Sequence, residues 1–180
     1  MQVALVAAVV GVLAGYARGG RLRHLGERPV RLWALLVVGA LLQWLAPNGP
    51  ALVVSFVCLL ACCLANLQMV GMGVVAVGLA LNATVIAANG AMPVRPTALV
   101  HAGVVDDLDE ARTFDLGGKR RLEEPGDRLT VLGDALPIRP VRQVLSFGDL
   151  VVAVGTADVL AQLMRRRRAR LLTRSPAEVG

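Results

Sequence analysis

Three aspartates of this 180-residue chain directly follow glycine: Asp127, Asp134 and Asp149. Carboxylates gathered in pairs can pass a proton to and from a substrate or hold a divalent ion, so these three could support acid–base hydrolysis. Gly-Asp is equally ordinary turn and cap chemistry. In Ser146-Phe147-Gly148-Asp149, either Ser146 or Asp149 can accept from the free amides at a helix start, where a carboxylate also suits the helix dipole. A fourth acid, Asp158, stands inside an apolar stretch, where an ionisable group is a functional candidate by default and suits an ion path. Gln162 shares its helical face and Arg165 follows two turns on, so a neutralised structural carboxylate is the competing expectation. His101 with Asp106, Asp107 and Asp109 makes a looser set without a recognised ligand spacing.

Other chemistry is excluded by what is missing. Cys58 and Cys62 share a helical face with Cys63 beside them, but no His or further Cys joins them, so they read as small apolar residues rather than metal ligands. An odd count of three gives no disulfide framework. The chain has no phosphate-cradling glycine loop, no His-Glu-x-x-His and no Gly-x-Ser-x-Gly turn. The net charge of +6 comes with only 3% aromatic residues and no basic stretch interleaved with them, which argues against nucleic acid. No residue is assigned a catalytic or metal-ligating role, and no cofactor is expected.

The elements that position these residues are apolar blocks. At 56% hydrophobic and 18% charged, the chain carries more apolar surface than a soluble domain of this size hides. Met1 to Tyr16, Leu32 to Ala46, Ala51 to Leu67, Met69 to Ala88 and Phe147 to Met164 are nearly free of charge, whereas a water-facing helix needs a polar face. They read as membrane spans. Blocks of 15–17 residues cover about 25 Å of a ~30 Å slab at ~1.5 Å per residue, so flanking residues must snorkel or the bilayer thin. Trp33 and Trp44 sit near opposite ends of the second block, as interfacial anchors do.

Order and sidedness follow from charge. The first block has no Lys or Arg before it, so it is expected to stay rather than be cleaved as a signal peptide. Arg18, Arg21, Arg23, Arg28 and Arg31 against Glu27 hold the first loop in the cytoplasm and leave the N-terminus outside. Ala7, Gly11, Gly15 and Gly19 form a small-residue stripe suited to close packing within the bundle or to a dimer seam. Pro47-Asn48-Gly49-Pro50 predicts a tight external turn. Ala51 to Ala88 as one helix would be about 57 Å long at ~1.5 Å per residue, so it must fold back, and Asn66-Leu67-Gln68 is the place. An odd number of spans then keeps Arg165 to Arg168, Arg170 and Arg174 inside with the first loop.

The sequence therefore predicts an all-α membrane protein of the bacterial cytoplasmic membrane: a five-span bundle, N-terminus outside and C-terminus inside, with a small mixed cap. Spans one to four occupy residues 1–88, the extracytoplasmic cap 89–146, span five 147–164 and a basic cytoplasmic tail 165–180. In the cap, eight basic residues face nine acidic ones, a net of minus one. Thr97 is expected to cap a helix from Ala98 to about Ala111 whose apolar residues, Leu99, Val104, Val105 and Leu108 among them, turn to the membrane or the bundle. Arg128-Leu129-Thr130-Val131 alternates like a strand, and Leu132-Gly133-Asp134-Ala135-Leu136-Pro137 reads as a turn with an extended exit. Asn82, about 9 Å below the outer end of the fourth span at ~1.5 Å per residue, needs partners as a buried amide.

With Asn82 in the fourth span, Asn89, Gly90, Met92 and Pro93 at its exit, Leu132-Gly133-Asp134 in the loop, and Ser146, Gly148 and Asp149 opening the last span, the chain resembles a known family. It is similar to the bacterial multi-spanning membrane proteins catalogued as domain of unknown function 5317. The resemblance covers most of the chain and implies an integral membrane protein with no transferable activity. Arg121 stands about where that family's pattern suggests a His, and Asp158 has no counterpart in it.

Function is expected at the outer face: a non-catalytic accessory subunit, or a binder of lipid or small molecule. The binding candidates are Asn82, Asn89, Met92, Pro93, Asp134, Ser146, Asp149 and Asp158. Expected partners are membrane lipids and a second copy or another membrane protein. The alternatives are a membrane enzyme using Asp127, Asp134 and Asp149, and a small transporter using Asp158, which would have to be dimeric because no inverted repeat is visible.

Overall fold

The computed structural model describes residues 2–27, 29–46 and 49–165. The basic tail beyond Arg165, Arg28 of the first loop, and Pro47 and Asn48 of the expected external turn lie outside the described residues, while Gly49 and Pro50 of that turn are the first residues of a helix, where a proline is tolerated because its missing N–H has no helical partner. Each of the five apolar blocks is one helix: α1 (Gln2–Ala17), α2 (Trp33–Leu45), α3 (Gly49–Ala65), α4 (Val70–Asn89) and, last in the chain, α7 (Phe147–Leu163). Between α4 and α7 lie β1 (Met92–Val94), α5 (Pro96–His101), α6 (Leu108–Thr113), β2 (Arg120–Leu122), β3 (Asp134–Ile138) and β4 (Gln143–Ser146). The described residues are thus mostly helical, with seven α-helices and a single four-stranded sheet. Among them α4, with 20 residues, is the one helix both long and apolar enough to cross a membrane, while α1, α2 and α3 are apolar but shorter.

Local chemistry sets the helix ends. The α3–α4 reversal is a tight turn in which the Asn66 N–H donates to Cys63 O and the Met69 N–H to Asn66 O, as the polar Asn-Leu-Gln break predicts. Gly90 closes α4 at φ 76°, a left-handed position that suits glycine, with its N–H on Ile86 O at 2.7 Å. Ser146 and Asp149 form a full capping box at the start of α7.

The long helices alternate in direction. α4 and α7 are antiparallel and approach backbone to backbone: a Cβ at Gly71 would meet Gly155 O at 2.6 Å, and one at Gly78 would meet Gly148 O at 2.7 Å. Of the expected small-residue stripe, Gly11 packs against Ala157 and Leu160 and Gly15 against Met164, so α1 and α7 run parallel. Gly19, in contrast, falls past the end of α1 in a left-handed turn with nothing packed on it among the described residues, and Gly20 makes the contact with Met164 instead. Arg21 N–H closes their shared end on Met164 O. α2 returns along α3, where Ser55 Oγ donates to Gly39 O at 2.9 Å. Asn66 ties the same hairpin at the other end, accepting from Arg31 N–H at 2.9 Å and donating to Arg31 O at 2.8 Å.

The cap is mixed, as expected, but several of its details differ from the sequence reading. Its sheet runs β2-β1-β3-β4, with β1 parallel to both β2 and β3, and β3 antiparallel to β4. Instead of one helix from Ala98 to Ala111 there are two short ones, because Pro96 begins α5 behind Arg95 and Gly103, at φ 70°, ends it. Thr97 is therefore inside α5, and Asp107 is the residue whose side chain caps α6 by accepting from Glu110 N–H. Ala98, Leu99 and Val105 face the cap's own core with Val94, Ala111 and Val144, whereas Leu108 is exposed. The expected strand at Arg128–Val131 is a left-handed Leu129 followed by a turn of 3-10 helix, Thr130–Leu132. The extended exit is present as β3.

Candidate functional site

The junction between cap and bundle is built where β4 passes into α7. Ser146 and Asp149 cap that helix, and from the same position they meet Asn82 on α4. Asn82 Nδ2 donates to Asp149 Oδ1 at 2.8 Å, Ser146 Oγ donates to Asn82 Oδ1 at 2.9 Å, and Ser146 Oγ accepts from Asp149 N–H at 3.0 Å. Ser146 and Asn82 are buried. Gly148 leaves room for the amide, since a Cβ there would collide with Asn82 Oδ1.

Above this triangle sits Asp134, paired with Ser146 in the β3–β4 register and only 1% exposed. Arg120 Nε lies 2.7 Å from Asp134 Oδ2, yet out of line for a hydrogen bond, so neither carboxylate oxygen receives one from the described residues. Burial raises the Asp134 carboxyl to about 7, against the pull of Arg120. Lys119, beside Arg120, extends the other way. Its Nζ is 3.4 Å from Gln43 Oε1 of α2 and 5.5 Å from the centre of the Phe56 ring of α3. Desolvation lowers its pKa, with the neighbouring Asp149 opposing the shift.

The basic run Lys119-Arg120-Arg121 on or beside β2 thus reaches three separate parts of the molecule. Arg121 clasps Asp127 through both Nη atoms and also donates to Asn89 O. Hydrogen bonding to Arg121 holds the Asp127 carboxyl below its ordinary range. The site thus brings together Asp134 and Asp149 but not Asp127, which is spent on its own loop.

The remaining candidates divide between framework and a second location. Asn89 pins the loop by accepting from Arg128 N–H and donating to Arg128 O, both at 2.8 Å. Met92 is buried against Leu52, Phe56, Val85 and Ile86, and Pro93 lies in β1, one of the two inner strands of the sheet. Asp158 is at the other end of α7. Its partners are Gln162 and, 3.3 Å away, Arg18 at the end of α1; Arg18, 140 residues distant in sequence, takes the place expected of Arg165. Among the described residues no group of three or more His, Cys, Asp or Glu is arranged to hold a metal, so His101 does not join the nearby aspartates in one.

Beside the triangle a half-open cleft of about 260 Å³ runs between α1 and α7 under the cap. Its apolar walls include Val3, Ala4 and Ala7 of α1 and Val152 and Ala153 of α7, and its polar groups are Arg120, Gln143, Asp149 and Thr156. Arg120, Gln143 and Thr156 were not singled out by sequence reasoning. The available signal was the Lys-Arg-Arg run holding the chain's sole lysine, beside a loop otherwise of scattered charge.

Fold and site define a helical bundle roofed by a small mixed cap, with a charged junction between the two. The chain belongs to the family of unknown function DUF5317, whose model matches residues 29–160. That span takes in Asn82, the whole cap and most of α7, Asp158 included, but not α1. No curated protein and no solved structure matches the chain.

Proposed function

We propose that this protein is a five-span integral protein of the bacterial cytoplasmic membrane that binds an amphiphile, without catalysis, at the outer cap–bundle junction. Large apolar side chains on all five long helices support the membrane placement by facing outward, among them Leu5, Trp44, Val53, Val70 and Val154 at 66%, 77%, 63%, 72% and 65% exposure. Where α7 meets α1 and α4, the backbones instead approach closely at Gly11, Gly71, Gly78, Gly148 and Gly155, as in lipid-embedded bundles. Trp33 and Trp44 close opposite ends of α2 at interfacial positions. The parallel run of α1 and α7 agrees with an odd number of crossings.

The observation that carries the binding reading is the cleft, because its apolar walls end against the charged pair Arg120 and Asp149. A ligand with a polar head and an apolar body matches that division. The alternatives draw less support. An enzyme built on Asp127, Asp134 and Asp149 lacks Asp127, which Arg121 occupies, and for a transporter Asp158 is already paired with Arg18 and Gln162.

Native mass spectrometry of the protein, gently extracted from its membrane, tests the binding reading. Wild type should carry an amphiphile, and Ala4→Trp, which fills the cleft from the exposed side of α1, should release most of it. Equal retention by both would remove the cleft as the binding place.

A further inference from the structure

Arg120 and Asp149 line one cleft with opposite charges, yet they are not an ion pair with each other. Arg120 lies against Asp134 at 2.7 Å and donates through Nη2 to Val144 O at 3.4 Å, which leaves Nη1 without a partner among the described residues. Among the described residues Asp149 spends one acceptor position per oxygen, on Asn82 Nδ2 and on Ser146 N–H. Each carboxylate oxygen keeps a further lone pair. A purely anionic head in this half-open space would meet Asp149, and a purely cationic one would meet Arg120. Either like-charge contact is costly where solvent is partly excluded.

We infer that the cleft takes the head of a zwitterionic phospholipid, with phosphate on Arg120, a primary ammonium on Asp149 and acyl chains along the α1–α7 seam. The inference rests on the amphiphile-binding reading above. Guanidinium is the side chain best shaped to hold phosphate oxygens. A primary ammonium brings N–H donors to the free Asp149 lone pairs, which a quaternary choline head cannot do. About 260 Å³ is small for a ligand pocket and suits a small head rather than a sugar-bearing one. Thr156, seven residues beyond Asp149, places the lower lining about 10 Å down the helix at ~1.5 Å per residue, so the cleft leads from the head position into the apolar seam.

The test is competition on the full-length protein in detergent, read by native mass spectrometry. Phosphatidylethanolamine, phosphatidylglycerol and phosphatidylcholine of matched chains are offered in equal amounts. Wild type should retain phosphatidylethanolamine at least about tenfold over either competitor, which corresponds to ~1.4 kcal/mol. Asp149→Asn should bring phosphatidylglycerol to within about threefold of phosphatidylethanolamine. If thermal melting shows that variant to be unfolded, the wild-type competition decides alone. Wild type holding phosphatidylglycerol or phosphatidylcholine as well as phosphatidylethanolamine overturns the head assignment while leaving the amphiphile reading intact. Retention of no lipid at all overturns both. Displacement of the bound lipid by an equal concentration of soluble phosphoethanolamine overturns the lipid as occupant.

Discussion

Asp134 shows how position governs the behaviour of a side chain. An exposed aspartate loses its proton near pH 4, but burial holds this one to about 7 even with Arg120 at 2.7 Å. Between those two values the folded protein binds more protons than the unfolded chain, so stability falls as pH rises through that window and levels off above it. The melting temperature should therefore drop between about pH 4 and pH 7, by the equivalent of at most about 1.4 kcal/mol per pH unit. Asp134→Asn, which cannot ionise, should flatten that part of the profile. A melting temperature that climbs with pH would mean that the ionised carboxylate gains more from Arg120 than it loses by burial. Sequence shows an aspartate after a glycine and nothing more, because its ionisation depends on neighbours brought by β2 and β4.

At the scale of elements, the contact between α4 and α7 holds the site together, since it carries Asn82 to Ser146 and Asp149. The two backbones touch at Gly71, Gly78, Gly148 and Gly155. Gly155→Val should destabilise the protein by about 2 kcal/mol or more, because its side chain must displace the Val75 backbone rather than a flexible tip. Gly73→Ala is the matched control. Its Cβ would meet only Leu67 Cδ2 at 3.7 Å, so it should be neutral or stabilising by up to about 1 kcal/mol. Unfolding in denaturing detergent compares the two. The five long helices were legible in the sequence almost to the residue, since charge-free blocks and cap residues are local signals. The cap sheet was not. Strands of three residues such as β1 and β2 are too short to show alternation, and Met92 finds Arg120 only across a separation of 28 residues.

For the whole molecule, the decisive property is direction. α1 and α7 run parallel and share the end at which Arg21 N–H meets Met164 O, while the cap closes the opposite end above Asn82. If that axis lies across a bilayer, arginines 18, 21, 23, 31 and 165 gather on one face and the cap on the other. Reporter fusions after Gly103 and after Val179 should then report opposite compartments. Matching compartments would overturn the odd number of crossings, and a cytoplasmic report at Gly103 would overturn the assignment of the cleft to the outer face.

The residues by themselves determined where the five long helices begin and end to within two positions, that the chain turns back at Asn66, and that Ser146 and Asp149 open a helix, because periodicity, capping and charge exclusion act over a few neighbouring positions. Tertiary structure alone decided which polar groups meet: Asn82 with Ser146 across 64 residues, Asp158 with Arg18 across 140, and Arg120 with Asp134 and the α1–α7 cleft. Those meetings depend on helix directions and on glycine contacts that let backbones close to touching distance, and the cost or benefit of each charge follows from the burial that results.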